Sequence, residues 1–167
     1  ELAQLPSGKV PTDHFEMRYQ MQATKGFASF VGANLDEQGR FYWRDAKIVP
    51  VEFHHRSKAL LSKTVWDALF SPQDQRVAGA YEGDDYEHMY ADGTLDPLTQ
   101  FIYGAQQSLL QNEHWQHWEV MKGELREYHF QRDALAPLET ECADLSAWRV
   151  ERRRMVSTAT QGIWYSP

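Results

Sequence analysis

Phe15-Glu16-Met17-Arg18-Tyr19-Gln20-Met21 decides the fold. Phe15, Met17, Tyr19 and Met21 alternate with polar and charged residues, the period-two pattern of a half-buried strand. The same signature recurs along the chain. Phe27 to Leu35 reads as a second strand broken by Gly32, and Glu37-Gln38-Gly39 as a turn into a strand from Arg40 to Arg44. Asp45-Ala46-Lys47 is the next tight turn. Val49, Val51 and Phe53 then alternate with Pro50, Glu52 and His54, a strand in which Pro50 belongs at an edge or at the start, where no ladder donor is required. Thr64 to Phe70 and Arg76 to Tyr81 flank Ser71-Pro72-Gln73-Asp74-Gln75, a turn with its first dihedral preset by proline. Trp115 to Met121, Leu125 to Gln131, Leu145 to Arg152 and Thr158 to Tyr165 extend the series, the first two joined as a hairpin by Lys122-Gly123-Glu124.

One segment breaks the period. Asp96 can accept a bond from a free backbone N–H, Pro97 suits a first helical position, and Leu98, Phe101, Ile102, Ala105 and Leu109 recur at helical spacing. The spacing predicts an amphipathic helix over about residues 96–111, with Gly104 marking close packing on a sheet. No linker, repeat or low-complexity run divides the chain. Residues 1–167 read as one mostly β domain: a single curved or rolled antiparallel sheet, a half-barrel, with one packed α-helix and an irregular segment over residues 1–14.

Composition narrows the function classes. The 167 residues are 42% hydrophobic and 13% aromatic, enough for a real core. Seventeen Lys and Arg against 24 Asp and Glu leave a net charge of −7, which opposes nucleic acid and anionic membranes as partners. Mean hydropathy is −0.65, and no window approaches the roughly 20 apolar residues of a membrane span. The single cysteine, Cys142, excludes an internal disulfide, a cysteine zinc site and an iron–sulfur cluster. Between Glu141 and Ala143, with Glu139 and Asp144 nearby, it reads as a small buried hydrophobe rather than a nucleophile.

The chemistry-bearing residues do not form a known catalytic motif. Histidines 54 and 55 point to opposite faces of one strand, as do His114 and His117. A metal site would have to assemble across strands from His54, His88, His117 or His129 with Asp85 or Glu87, and neither a metal nor another cofactor is expected. The stretch Glu82-Gly83-Asp84-Asp85-Tyr86-Glu87-His88 lacks the ligand period of a calcium loop and reads as a turn plus an edge strand. The sequence holds no G-x-S-x-G elbow, no S-x-x-K, no phosphate loop and no dinucleotide fingerprint. Arg149, Arg152, Arg153 and Arg154 concentrate positive charge, with Arg152 and Arg154 on the strand face of Trp148 and Val150. The six Trp, eight Tyr and eight Phe exceed what one small core commonly uses, so a curved sheet could present some of them to an acyl chain, a sugar ring or an apolar peptide.

The order of motifs resembles a family of bacterial periplasmic proteins, domain of unknown function 3108. The resemblance rests on Phe41-Tyr42-Trp43-Arg44-Asp45-Ala46-Lys47-Ile48-Val49-Pro50-Val51-Glu52-Phe53 and on the hairpin from Thr64 to Gly79. It continues through Asp92-Gly93-Thr94-Leu95-Asp96-Pro97-Leu98-Thr99 and the closing strands Trp148-Arg149-Val150-Glu151-Arg152 and Trp164-Tyr165-Ser166-Pro167. It implies an exported protein of the periplasm, its signal peptide removed, with a strongly curved sheet similar to the carriers that shuttle lipoproteins to the outer membrane. It implies no catalytic residues.

Together these readings predict a non-catalytic cell-envelope protein. Its concave face would bind an apolar or amphipathic ligand, a lipid, acyl group or lipoprotein segment, through Trp43, Phe53, Trp66, Trp115, Trp118 and Trp148, with Arg152 at the rim. The alternative is an envelope scaffold that recognises a protein partner through a strand edge and has no cavity. A hydrolase would need His88, His117 or His129 within bonding reach of an acid in a cleft.

Overall fold

The computed structural model describes residues 14–30, 32–60, 62–139, 144–155 and 160–166. Its first sheet is a six-stranded meander in which each strand pairs with the next: β1 (His14–Gln22), β2 (Asn34–Arg44), β3 (Lys47–Ala59), β4 (Ser62–Ser71), β5 (Arg76–Tyr81) and β6 (Asp84–Met89). A short helix, α1 (Gly26–Phe30), lies between β1 and β2, and the longer α2 (Thr99–Leu109) follows β6. The second sheet holds β7 (His114–Met121), β8 (Glu124–Glu139), β9 (Asp144–Arg154) and β10 (Thr160–Tyr165), with β7 and β10 at its edges.

The mostly antiparallel β architecture with one long helix is the predicted one, but the strands divide into two ladders that do not close. The chain leaves β6 through the Asp92-Gly93 turn and meets β7 at one residue. Leu95 N–H donates to the Trp118 carbonyl at 2.8 Å, and the Leu95 carbonyl accepts from Val120 N–H at 3.0 Å. Below that bridge the β7–β8 hairpin packs on the first sheet, where Val120 joins Phe53, Trp66, Ala68, Phe70, Val77, Tyr90 and Leu98 in one buried cluster.

Three local readings are corrected. His14 already belongs to β1 rather than to an irregular segment, and residues 26–30 form α1 where a strand from Phe27 was expected. Gly39 sits inside β2 and is buried, opposite Met17 and Phe53. A Cβ there would stand in ordinary contact, 3.5 Å from Leu98 Cδ1 and 3.6 Å from Asp96 Oδ1. Pro50 is as expected in a place with no second ladder: the β3–β4 pairing begins at Glu52, so only β2 runs beside Pro50, and Val51 is the extra residue where the β2–β3 register passes from Arg40–Glu52 to Phe41–Pro50. Cys142 lies outside the described residues.

The helix begins later than 96, at Thr99, yet Asp96 does the predicted work. Its Oδ1 accepts from Leu98 N–H at 2.8 Å and Thr99 N–H at 3.0 Å, and its Oδ2 accepts from the Thr99 hydroxyl at 2.8 Å. Gly104 meets the second sheet as expected, since a Cβ at that position would collide with the Tyr165 hydroxyl. Tyr103 and Ala105 cover Trp115, Tyr128, Phe130, Val150 and Tyr165, while Ile102 and Tyr103 also reach Phe41, Ile48 and Leu95. Thus α2 seals one face of the second sheet and touches both.

Candidate functional site

Alternation along β7 buries Trp115, His117 and Glu119 and exposes His114, Gln116 and Trp118. The buried set faces α2 beside Phe130 and Tyr128 of β8, and Arg152 of β9 lies opposite Phe130. Glu119 is 0% exposed and Arg152 7% exposed. Arg152 Nη2 donates to Glu119 Oε2 at 2.5 Å, and the guanidinium lies 3.7 Å from the centroid of the Tyr128 ring.

Much of this buried polarity has no protein partner. Glu119 Oε1, Arg152 Nε, Gln100 Oε1, Trp115 Nε1, the Tyr165 hydroxyl and both ring nitrogens of His117 are enclosed and unpaired. His117 is held by rings alone, stacked on Phe130 at 4.7 Å and edge-on to Tyr103 at 5.6 Å, with Nε2 3.9 Å from Glu119 Oε2. In a protein interior an unmade hydrogen bond costs on the order of 1–3 kcal/mol. Burial pushes the Tyr165 hydroxyl up to about 12. It also raises the Asp96 carboxyl to about 6, with nearby Glu119 adding to the effect.

A cavity of about 330 Å³ opens beside His117. Ile48, Leu95 and Tyr103 supply apolar wall, Gln116 and Trp118 line the β7 edge, and Lys47 and Asp92 stand at the solvent side. Those two form an exposed ion pair at 2.6 Å, which raises the lysine and lowers the aspartate relative to their ordinary values. The site therefore offers an apolar wall, a buried imidazole and a charged, exposed mouth.

The expected ligand-binding residues separate into different places. Phe53 and Trp66 pack against each other at 4.5 Å between ring centroids inside the first core. Trp43 is exposed on β2, and Trp148 is half-buried beneath the Arg132 guanidinium, 5.6 Å from its centroid. Trp115 borders the polar cluster, and Trp118 lines the cavity. Arg152 stands inside the protein rather than at a rim, because its strand face is the one that α2 covers. His117 was visible in the sequence as an ill-spaced metal ligand and as one of three histidines a hydrolase would need beside an acid, and Glu119 and Tyr165 gave no separate signal. A glutamate on the buried face of a Trp-bearing strand is the conflict that could have exposed the cluster.

His54, His55 and His88 pair elsewhere, whereas His129 Nε2 makes no hydrogen bond among the described residues. Nδ1 of His54 lies 2.6 Å from Asp67 Oδ1, and Nε2 of His88 lies 2.8 Å from the Gly123 carbonyl. Nε2 of His129 is 3.5 Å from Glu127 Oε1. Glu37, His55 and Ser57 form a chain, with 2.8 Å from Oε1 to Nδ1 and 3.1 Å from Nε2 to Oγ. That order is the one that activates a serine. Ser57, however, sits on β3, paired on both sides to Leu35 and Thr64, where the strand has little backbone N–H to spare for an oxyanion. No group of three His, Cys, Asp or Glu among the described residues is placed to hold a metal.

No protein-family model matches the chain, and no curated protein matches it. Among solved structures the chain is similar to the crystal structure of a beta-barrel-like protein of domain of unknown function DUF1849 from Brucella abortus. The match has a TM-score of 0.51 at 9% identity and covers 85% of this chain and 63% of that one. It establishes a β-barrel-like fold shared with a domain of unknown function. The chain spans less than two thirds of that protein's length.

Proposed function

We propose that the chain is a non-catalytic cell-envelope protein that binds a small amphipathic ligand, an acyl group or lipid carrying a hydrogen-bonding head, in the cavity between its sheets. The observation that carries this reading is His117, its side chain 2% exposed, unpaired at both nitrogens and set in the wall of a 330 Å³ cavity. A hydrogen-bonding head seated there satisfies the imidazole, and the apolar part lies on Ile48, Leu95 and Tyr103. Ligand sites of this kind are apolar clefts with few, well-placed polar groups. The β-barrel-like fold supports a curved sheet that can hold such a ligand, and the resemblance of the motif order to domain of unknown function 3108 is the ground for an exported, periplasmic location.

The test is native mass spectrometry of protein purified from an envelope extract without detergent, followed by organic extraction. A defined extra mass that partitions into solvent as an acyl or lipid species, and is lost in His117→Leu, is expected. A clean apo mass after incubation with the same envelope lipids would overturn the reading.

A further inference from the structure

The cavity beside His117 is walled by regular elements that are packed against one another. Ile48 of β3 and Leu95 are 4% and 2% exposed and cluster with Phe41, and Ile102 and Tyr103 of α2 pack against that cluster. Leu95 is also tied to β7 by its hydrogen bonds with Trp118 and Val120. Packed interiors of this kind yield little, so the volume of about 330 Å³ limits what can enter.

The polarity of the cavity runs in one direction. His117 is the deep polar group, its side chain 2% exposed. The apolar wall of Ile48, Leu95 and Tyr103 comes next, and Lys47 and Asp92 stand at the mouth with side chains 65% and 68% exposed. A chain that runs past the mouth pair leaves this wall for water.

We infer that the occupant is one medium-length acyl chain seated head inward, not a two-chain lipid; the inference rests on the acyl-binding reading of the same cavity. A water molecule takes about 30 Å³ in the liquid, and a methylene is of similar size, so the space holds about eleven non-hydrogen atoms. A carboxyl group and about eight further carbons fill it. A two-chain lipid has several times as many atoms and would leave most of its apolar surface in water. The direction follows from the two ends of the cavity. Lys47 already has its counter-charge in Asp92 at 2.6 Å, whereas His117 has no hydrogen-bond partner among the described residues. A chain seated methyl end inward would press hydrocarbon on the imidazole and give it no bond.

The test is a two-dimensional amide NMR titration of the native chain with straight-chain carboxylates from hexanoate to tetradecanoate, each below its micelle concentration. Each added methylene is expected to tighten binding about fourfold as far as about ten carbons, and by less than about twofold beyond that length. Decanedioate, with its second carboxylate at the mouth, is expected to bind within about threefold of decanoate. Binding that still tightens about fourfold per methylene at tetradecanoate would overturn the size limit. A loss of more than about tenfold for decanedioate would overturn the head-inward direction. Either result leaves the acyl site itself standing, whereas no binding by any member of the series would overturn the site and the inference together.

Discussion

Two faces built on the same period-two pattern meet opposite fates in this protein. On β7, Trp115, His117 and Glu119 are sealed beneath α2, where polar atoms lack partners. On β1, Phe15, Tyr19 and Met21 lie open to solvent, where apolar atoms lack cover. Alternation assigned a face in each case, but what lies over that face was set by distant segments. The covered face holds buried polar atoms without a protein partner, and the bare face holds exposed apolar side chains.

The largest effect should come from the covered face. Glu119→Ala leaves Arg152 buried without its carboxylate, and we expect a loss of about 3–5 kcal/mol in urea unfolding. Replacing both members by apolar residues, Glu119→Leu/Arg152→Met, should restore most of that loss, since the cost lies in the uncompensated charge. If the single variant unfolds like the native chain, the polar cluster is not sealed and the contrast collapses.

Next is the lid contact. Gly104→Ala improves helix propensity by about 1 kcal/mol but drives a methyl group into the Tyr165 hydroxyl, so a net loss of about 1–2 kcal/mol is expected. Tyr165→Phe removes a buried hydroxyl that has no partner and should relieve part of the clash. A stabilised Gly104→Ala variant would show that α2 rides loosely over the second sheet.

Asp96 gives the contrast a pH dependence. Its folded-state value of about 6 lies above its ordinary value of 3.8, so the native state binds this proton more tightly than the unfolded chain. The contribution is fully present below about pH 4 and is lost as pH rises through about 6. Asp96→Asn keeps an acceptor for the Leu98 and Thr99 N–H groups, and should flatten stability across that window when melting is followed against pH. A native profile without the decline between pH 4 and 6 would show that the hydrogen bonds from Leu98 and Thr99 outweigh burial.

The smallest effect belongs to the bare face. Phe15→Ser, Tyr19→Ser and Met21→Ser should each change monomer stability by no more than about 0.5 kcal/mol, because little is buried. Phe53→Ala, in the first core, should cost about 3–5 kcal/mol. Serine variants of β1 as damaging as Phe53→Ala would mean that the strand is covered in solution.

The strands and turns were legible because their signals are local. Phe15 to Met21, the Pro72 turn, the Lys122-Gly123-Glu124 hairpin and the capping role of Asp96 all follow from residues adjacent in sequence. Pro50 was legible for the same reason: the β4 ladder begins only at Glu52, and the bulged Val51 is its immediate neighbour. Gly39 misled because the turn-like run Glu37-Gln38-Gly39 is held extended by β1 on one side and β3 on the other. The site was legible only in part. Trp115 and Trp118 were marked by their aromaticity, whereas Glu119 and the interior position of Arg152 depend on which face α2 covers. Nothing local to Trp148-Arg149-Val150-Glu151-Arg152 states that.

The most direct measurement is a two-dimensional amide NMR titration of the native chain with octanoate, an acyl group carrying one hydrogen-bonding head. Shift changes are expected to concentrate at Lys47, Ile48, Asp92, Leu95, Tyr103, His117 and Trp118 and to be absent in His117→Leu. Changes confined to Phe15, Met17, Tyr19 and Met21, or none at saturating octanoate, would contradict a ligand site in the cavity between the sheets.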